Sequence, residues 1–200
     1  MSELKTIRDI AGLGDESTSI SDSALIIIDA QNTYCEGVMK LDGIDNALKE
    51  CGVLLERFRK AGRPVFHIRH DAGPGTPYDV SNSIGQIVDA LTPSAGEPLI
   101  TKNYPNSFAG TDLDDLVKKT GTQNLIIVGF MSHMCVNSTA RGAFSLGYRP
   151  TVVASATATR DLPFKITGET IPASVMNSAA LAALGDLPAA IVATPSNVPD

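Results

Sequence analysis

Positive charge is scarce in this sequence. Sixteen lysines and arginines stand against 22 acidic residues, a formal net charge of -6. Binding to a phosphate backbone needs clustered Lys and Arg, and no such cluster occurs, so nucleic acid is not expected as a partner. Long apolar runs are missing too: none approaches the roughly 20 residues that cross a bilayer, so no membrane partner is expected. Cysteine is limited to Cys35, Cys51 and Cys135, which cannot all pair within one chain. Met1 to Asp22 lacks the basic start and apolar stretch of a secretory signal. Free thiols and a cytoplasmic location are therefore expected. A Gly-x-Gly-x-x-Gly turn is also lacking after the first apolar run, where Asp29-Ala30-Gln31-Asn32 stands instead. That ranks a dinucleotide-binding role low.

What is present is an alternation of apolar β-rich runs with helix-like stretches over 200 residues. Strands are read at 24–29, 64–68, 99–101, 124–129, 151–154 and 189–193. Residues 44–61 carry apolar side chains at helical spacing, at Ile44, Leu48, Cys51, Leu55 and Phe58, with Gly62 at the end. Further helices are read from Thr111, over 134–146, and over 169–184 with Pro172 in the first turn; a short helix is read near 84–91. Near-continuous apolar strands separated by helices imply a sheet covered on both faces. The expected fold is a three-layer α/β/α sandwich around a mainly parallel six-stranded sheet, Rossmann-like, in a single domain. Residues 1–20 are read as an arm, and 195–200 as a fraying tail.

In such sheets, sites gather at the carboxyl ends of strands. That rule singles out Asp29, the Arg69-His70-Asp71 run, Lys102, the turn from Gly129 to Cys135, and Thr157 and Thr159. Each has two readings. Cys135 at a helix start is a nucleophile whose thiolate the free N–H groups would stabilise, or a small buried hydrophobe. Asp29 is a functional acid or a turn residue. Lys102 is a site cation or a solvated surface lysine. Together they gain weight: a carboxylate can take a thiol proton while an ammonium steadies both.

Three segments resemble the isochorismatase-like cysteine hydrolases, a family that includes nicotinamidases and N-carbamoylsarcosine amidase. They are Leu25-Ile26-Ile27-Ile28-Asp29-Ala30-Gln31-Asn32, the segment from Lys102 through Ser107-Phe108 to Leu113, and Val128-Gly129-Phe130-Met131-Ser132-His133-Met134-Cys135-Val136. The last has Ser132 where the family usually has Thr. The resemblance implies an Asp29, Lys102, Cys135 triad, a cis peptide between Phe130 and Met131, and an oxyanion hole from the backbone N–H groups of Met131 and Cys135. It also implies a homo-oligomer, a dimer or tetramer. The metal-binding Asp-x-His of nicotinamidases has no counterpart in His67-Ile68-Arg69-His70-Asp71, so no metal and no cofactor are expected. His67 is read as a hydrogen-bonded structural residue. His70 and Asp71 are read as polar loop residues rather than metal ligands.

Gln31, Tyr34, Phe108 and His133 are the candidate pocket residues, with core packing the alternative for Phe108 and a surface ring the alternative for Tyr34. Cys35 and Cys51 are given no chemistry. The expected activity is hydrolysis of a C–N bond in a small amide or ureido compound through a thioester, with a small molecule as substrate. The alternatives are a catalytically silent binding or scaffold protein on the same fold, or an isochorismatase-type vinyl-ether hydrolase, a type that lacks the cysteine.

Overall fold

The computed structural model describes residues 4–200. In chain order the regular elements are α1 (Ile7–Ala11), β1 (Ser23–Ile28), α2 (Ile44–Lys60), β2 (Val65–His70), β3 (Leu99–Lys102), α3 (Leu113–Thr120), β4 (Asn124–Phe130), α4 (Asn137–Ser145), β5 (Arg149–Ala158), β6 (Leu162–Phe164), β7 (Glu169–Ile171), α5 (Ala173–Gly185) and β8 (Ala190–Val192). Six strands form one sheet in the order β3-β2-β1-β4-β5-β8, and every pairing in it is parallel. The three-layer α/β/α expectation holds, and the sheet is wholly parallel.

The strand sequences explain the layers. Successive side chains of a strand face opposite sides. Leu25 and Ile27 join α2 residues Ala47, Leu54 and Phe58 in one apolar cluster. Ile26 and Ile28 join Val117 of α3, Ala140 of α4 and Leu184 of α5 in the other. Fully burying an aliphatic side chain of this size contributes about 1.5–3 kcal/mol, and β1 is buried on both faces along its whole length. From β1 the chain winds one way through β2 and β3; from β4 it winds the other way. The reversal between β1 and β4 creates a crevice at their carboxyl ends. Gly129 brings the two strands together there: its φ is +112°, and a Cβ would lie 2.0 Å from the Ile28 carbonyl oxygen.

Several boundaries differ from the sequence reading. The stretch near 84–91 is two separate 3₁₀ turns, Ser83–Gly85 and Asp89–Leu91. Between and beside these turns its backbone bonds to the segment after β1: Asn32 N–H donates to Gln86 O and Val88 N–H to Ala30 O, both at 2.9 Å. The last long helix begins at Ala173, and Glu169–Ile171 pairs antiparallel with Leu162–Phe164. Pro172 is the reason, since a proline drives the residue before it to extended backbone. Helix α3 begins at Leu113, two residues past Thr111. Ahead of α4, a five-residue π-type turn, Ser132–Val136, carries the nucleophile candidate.

The described part of the N-terminal arm is docked. Arg8 N–H donates to Asp186 O at 2.8 Å, and its guanidinium donates to Leu187 O at 2.9 Å. Residues 1–3 lie outside the described region. The tail expected to fray is held as well: Val198 is buried, and the Arg57 guanidinium donates to its carbonyl at 2.6 Å.

Candidate active site

Asp29 follows the last residue of β1. Its φ of +50° is left-handed, a region that Asp tolerates better than most residues and that marks local strain when found at a site. Lys102 ends β3 and lies beside His70 of β2 in the parallel register. Cys135 sits in the turn after β4. The peptide bond between Phe130 and Met131 is cis.

The strand ends bring three of these side chains into contact. The Lys102 ammonium donates to Asp29 Oδ2 at 2.7 Å and to Cys135 Sγ at 3.3 Å. Its third neighbour is His70 Nδ1 at 3.4 Å. Ammonium nitrogen only donates, so Nδ1 accepts and the His70 proton sits on Nε2. Burial, helped by the Lys102 charge, holds His70 down to about 4, so this ring is neutral near pH 7. Asp29 and Lys102 are 0% and 1% exposed, which removes Lys102 from the solvated surface. Asp29 Oδ1 is buried without a hydrogen-bond partner.

The electrostatics correct one expectation. A helix start and a nearby lysine suggest a depressed thiol. Instead burial pushes Cys135 up to about 12; the Asp29 charge adds to the rise, and Lys102 opposes it. Burial also raises Asp29, again against Lys102. At neutral pH Cys135 is therefore a protonated thiol. It is 6% exposed, and a group able to take its proton stands next to it. Cys51 is buried with its thiol against Ala156 O at 3.4 Å. Cys35 is partly exposed, and burial is the first cause of its upward shift.

The four expected pocket residues separate. Gln31 is corrected: its side-chain amide is taken up by backbone. It donates to His70 O at 2.9 Å and Gly85 O at 2.7 Å, and accepts from His70 N–H at 2.8 Å. It fixes the end of β2 instead of presenting a free amide. Phe108 is corrected towards core packing, with its ring stacked on Tyr148 at 5.8 Å between centroids. Its neighbour Ser107 is buried against α4, with its hydroxyl 2.9 Å from that of Thr139. Tyr34 is no surface ring. It is buried, edge-on to Tyr78 at 6.0 Å and to Phe130 at 5.9 Å. His133 is half-buried, and its Nδ1 lies 2.5 Å from Thr159 Oγ1.

Two groups near the site have no chemical role in the sequence reading, although the strand-end rule singles out the run that contains His70. His70 reads as a polar loop residue but closes β2, and its strand register with Lys102 is the signal that finds it. Tyr78, deep in a long loop, packs edge-on to His70 with centroids 5.0 Å apart; nothing in its local sequence marks it. His67 is bonded elsewhere, through Nε2 to Glu97 at 2.9 Å. Among the described residues, no group of three or more His, Cys, Asp or Glu is gathered as a metal-ligand set.

An isochorismatase domain matches residues 23–167. This chain belongs to the isochorismatase family. A crystal structure of an isochorismatase from Pseudomonas putida KT2440 is 39% identical and superposes with a TM-score of 0.92, covering 97% of this chain and 99% of that one. A secreted isochorismatase effector of Verticillium dahliae is 36% identical, over 80% of this chain and 85% of its own length. A ureidoacrylate amidohydrolase of Rhizobium rhizogenes is 30% identical, over 68% of this chain and 70% of its own. No helix among the described residues is long and apolar enough to cross a membrane.

Proposed function

We propose that this family member is a cysteine hydrolase that cleaves a C–N bond of a small amide or ureido compound through a thioester, with Cys135 as nucleophile. The observation that carries the reading is the Lys102 ammonium, buried and in contact with both the Asp29 carboxylate and the Cys135 sulfur. A relative named an amidohydrolase supports the bond type. In the proposed cycle, sulfur attacks the substrate carbonyl as Asp29 takes the thiol proton, so no free thiolate has to persist in the resting site. Asp29 then returns the proton to the departing nitrogen. Water, activated by the same carboxylate, cleaves the thioester. The backbone N–H groups of Met131 and Cys135 are assigned to the developing oxyanion, and one such donor is worth roughly 3 kcal/mol in a hydrolase. The nucleophile calls on no metal and no cofactor.

Intact-mass spectrometry after incubation with a library of small amides and ureides tests this. We expect a covalent acyl adduct on the wild-type chain and none on Cys135→Ala. An adduct that survives in Cys135→Ala would remove the nucleophile. Two relatives carry isochorismatase in their names, so an enol-ether substrate belongs in the same library. Ether cleavage without any adduct, in wild type and variant alike, would replace the amidase reading by vinyl-ether hydrolysis.

We place the protein in the cytoplasm as a homo-oligomer, with neither nucleic acid nor membrane as partner. Support for assembly is the exposed face of α5, where Val175 is exposed among Ser174, Ser178, Ala179 and Ala182, together with the prevalence of closed symmetric assemblies. Light scattering at micromolar concentration should return a dimer or tetramer mass; a monomer mass would reject the assembly.

A further inference from the structure

The Lys102 ammonium has three protons to give, and among the described residues it meets three acceptors. Asp29 Oδ2 takes one at 2.7 Å and Cys135 Sγ another at 3.3 Å. The third points at His70 Nδ1, 3.4 Å away. Lys102 is 1% exposed, so without that acceptor the third N–H would go unsatisfied, at a cost to the charged form. The proposed cycle uses the first two partners and gives His70 no part.

The ring is held from several sides. His70 ends β2 opposite Lys102 in the parallel register, and Asp71 N–H donates to Lys102 O at 2.9 Å. Gln31, two residues after Asp29, grips the His70 backbone at both polar groups: Oε1 accepts from its N–H at 2.8 Å and Nε2 donates to its carbonyl at 2.9 Å. Tyr78 packs edge-on to the ring with centroids 5.0 Å apart, and its hydroxyl lies 3.4 Å from that of Tyr34. The loop carrying Tyr78 is pinned in turn, since the Asp79 carboxylate accepts from Gly75 N–H at 2.9 Å and from Ser81 N–H at 3.0 Å. Only a neutral imidazole can accept, and burial keeps His70 neutral near pH 7.

We propose that His70 is a positioning residue: its Nδ1 takes the third ammonium proton and so fixes the aim of Lys102 at Asp29 and Cys135. The contact matters most in mid-cycle. Once Asp29 has taken the thiol proton and sulfur has bonded to the substrate carbon, neither of the other two partners carries a charge. His70 is the partner that does not change. It keeps the ammonium charged and in place until Asp29 ionises again, on giving its proton to the departing nitrogen. The role rests on the hydrolase reading; the contact itself is measurable on the resting chain.

The test compares full-length wild type with His70→Asn, His70→Gln and His70→Leu. Asparagine places Oδ1 as many bonds from Cα as histidine places Nδ1; glutamine sets its acceptor one bond further out, and leucine has none. Cys135 alkylation by iodoacetamide is followed against pH by peptide mass mapping. Without the third acceptor the ammonium relaxes towards Asp29, its nearer and charged partner, and the sulfur loses support. The glutamine and leucine profiles should move to higher pH by roughly half to one unit, the effect of weakening an opposite charge beside the thiol. Asparagine should restore most of that shift. Long-range ¹H–¹⁵N NMR of the wild type at pH 7 should show His70 neutral with its proton on Nε2, its signals assigned by their loss in the asparagine variant. Should the leucine variant fail to fold, the asparagine–glutamine comparison and the tautomer decide. With an amide that acylates the wild type, His70→Gln should lower kcat about tenfold and leave KM within about twofold, as for a hydrogen bond to a charged group that does not touch substrate. Superimposed profiles for the asparagine and glutamine variants, a His70 protonated on Nδ1, or a raised KM at unchanged kcat would overturn the role. Failure of the hydrolase reading is seen separately, as a chain with the expected profiles and tautomer that never forms an acyl adduct.

Discussion

Asp29→Asn should lower turnover by roughly 10²- to 10⁴-fold, the usual worth of a positioned general base, and at the same time shift alkylation of Cys135 to lower pH. The two effects point in opposite directions, which makes the variant informative. The Asp29 charge raises the Cys135 thiol, second only to burial. A neutral amide removes that charge and leaves Lys102, which favours the thiolate. The variant should hold more thiolate at a given pH and still fail to turn over, because the amide neither accepts the thiol proton nor returns it to the leaving nitrogen. In the wild type, the acid limb of kcat/KM should lie above the usual aspartate range, because burial raises Asp29 and the base works only when ionised. The measurement pairs steady-state kinetics with iodoacetamide labelling from pH 6 to 10, followed by peptide mass mapping. A labelling profile that moved to higher pH would mean that Asp29 assists the thiolate in the resting enzyme, against the order of events proposed here.

How far the sequence reaches depends on what a residue's identity encodes. β1 was legible because five consecutive apolar residues ahead of a carboxylate leave few alternatives, and the parallel sheet followed from the alternation of such runs with helices. Asp29, Lys102 and Cys135 were legible because they end strands and stand in motifs. The helix expected over 169–184 starts instead at Ala173, because Pro172, read as tolerated in a first turn, stands ahead of the helix and holds the residue before it extended. The orientation of Gln31 is not encoded by its motif position; only the approach of the His70 and Gly85 backbone shows that its hydrogen bonds are spent internally. Phe108 could not be placed because its partner Tyr148 lies forty residues on, in a contact made only when the 103–111 segment lies against α4. His70 and Tyr78 come from a strand end and a long loop, and no local pattern links them. The thiol's protonation state was also out of reach, since burial dominates it and burial is a property of the fold.

Lys102→Met should be the most destabilising change at the site, at about 3–5 kcal/mol, the cost of leaving one member of a buried ion pair alone. Both side chains are fully shielded from solvent, and Asp29 already has one orphaned oxygen. Taking away the ammonium leaves the other oxygen without its partner too. Part of the cost is relieved by proton uptake at Asp29, so the variant should regain stability as pH falls towards the raised Asp29 range, where burial favours the neutral acid. The Cys135 labelling profile should move to higher pH, opposite in sign to Asp29→Asn, because Lys102 opposes the rise of the thiol. Combining Lys102→Met with Asp29→Asn separates pairing from packing. If the pair's stability rests on mutual neutralisation, the double variant should recover most of the single variant's loss, since uncharged groups of similar volume often replace a buried pair at little cost. Urea denaturation of the four proteins at pH 7 closes the cycle. Additive losses in the double variant would mean that Lys102 acts as packing volume and not as the charge that holds Asp29 ionised against its burial, and the ammonium would lose its assigned part in the chemistry.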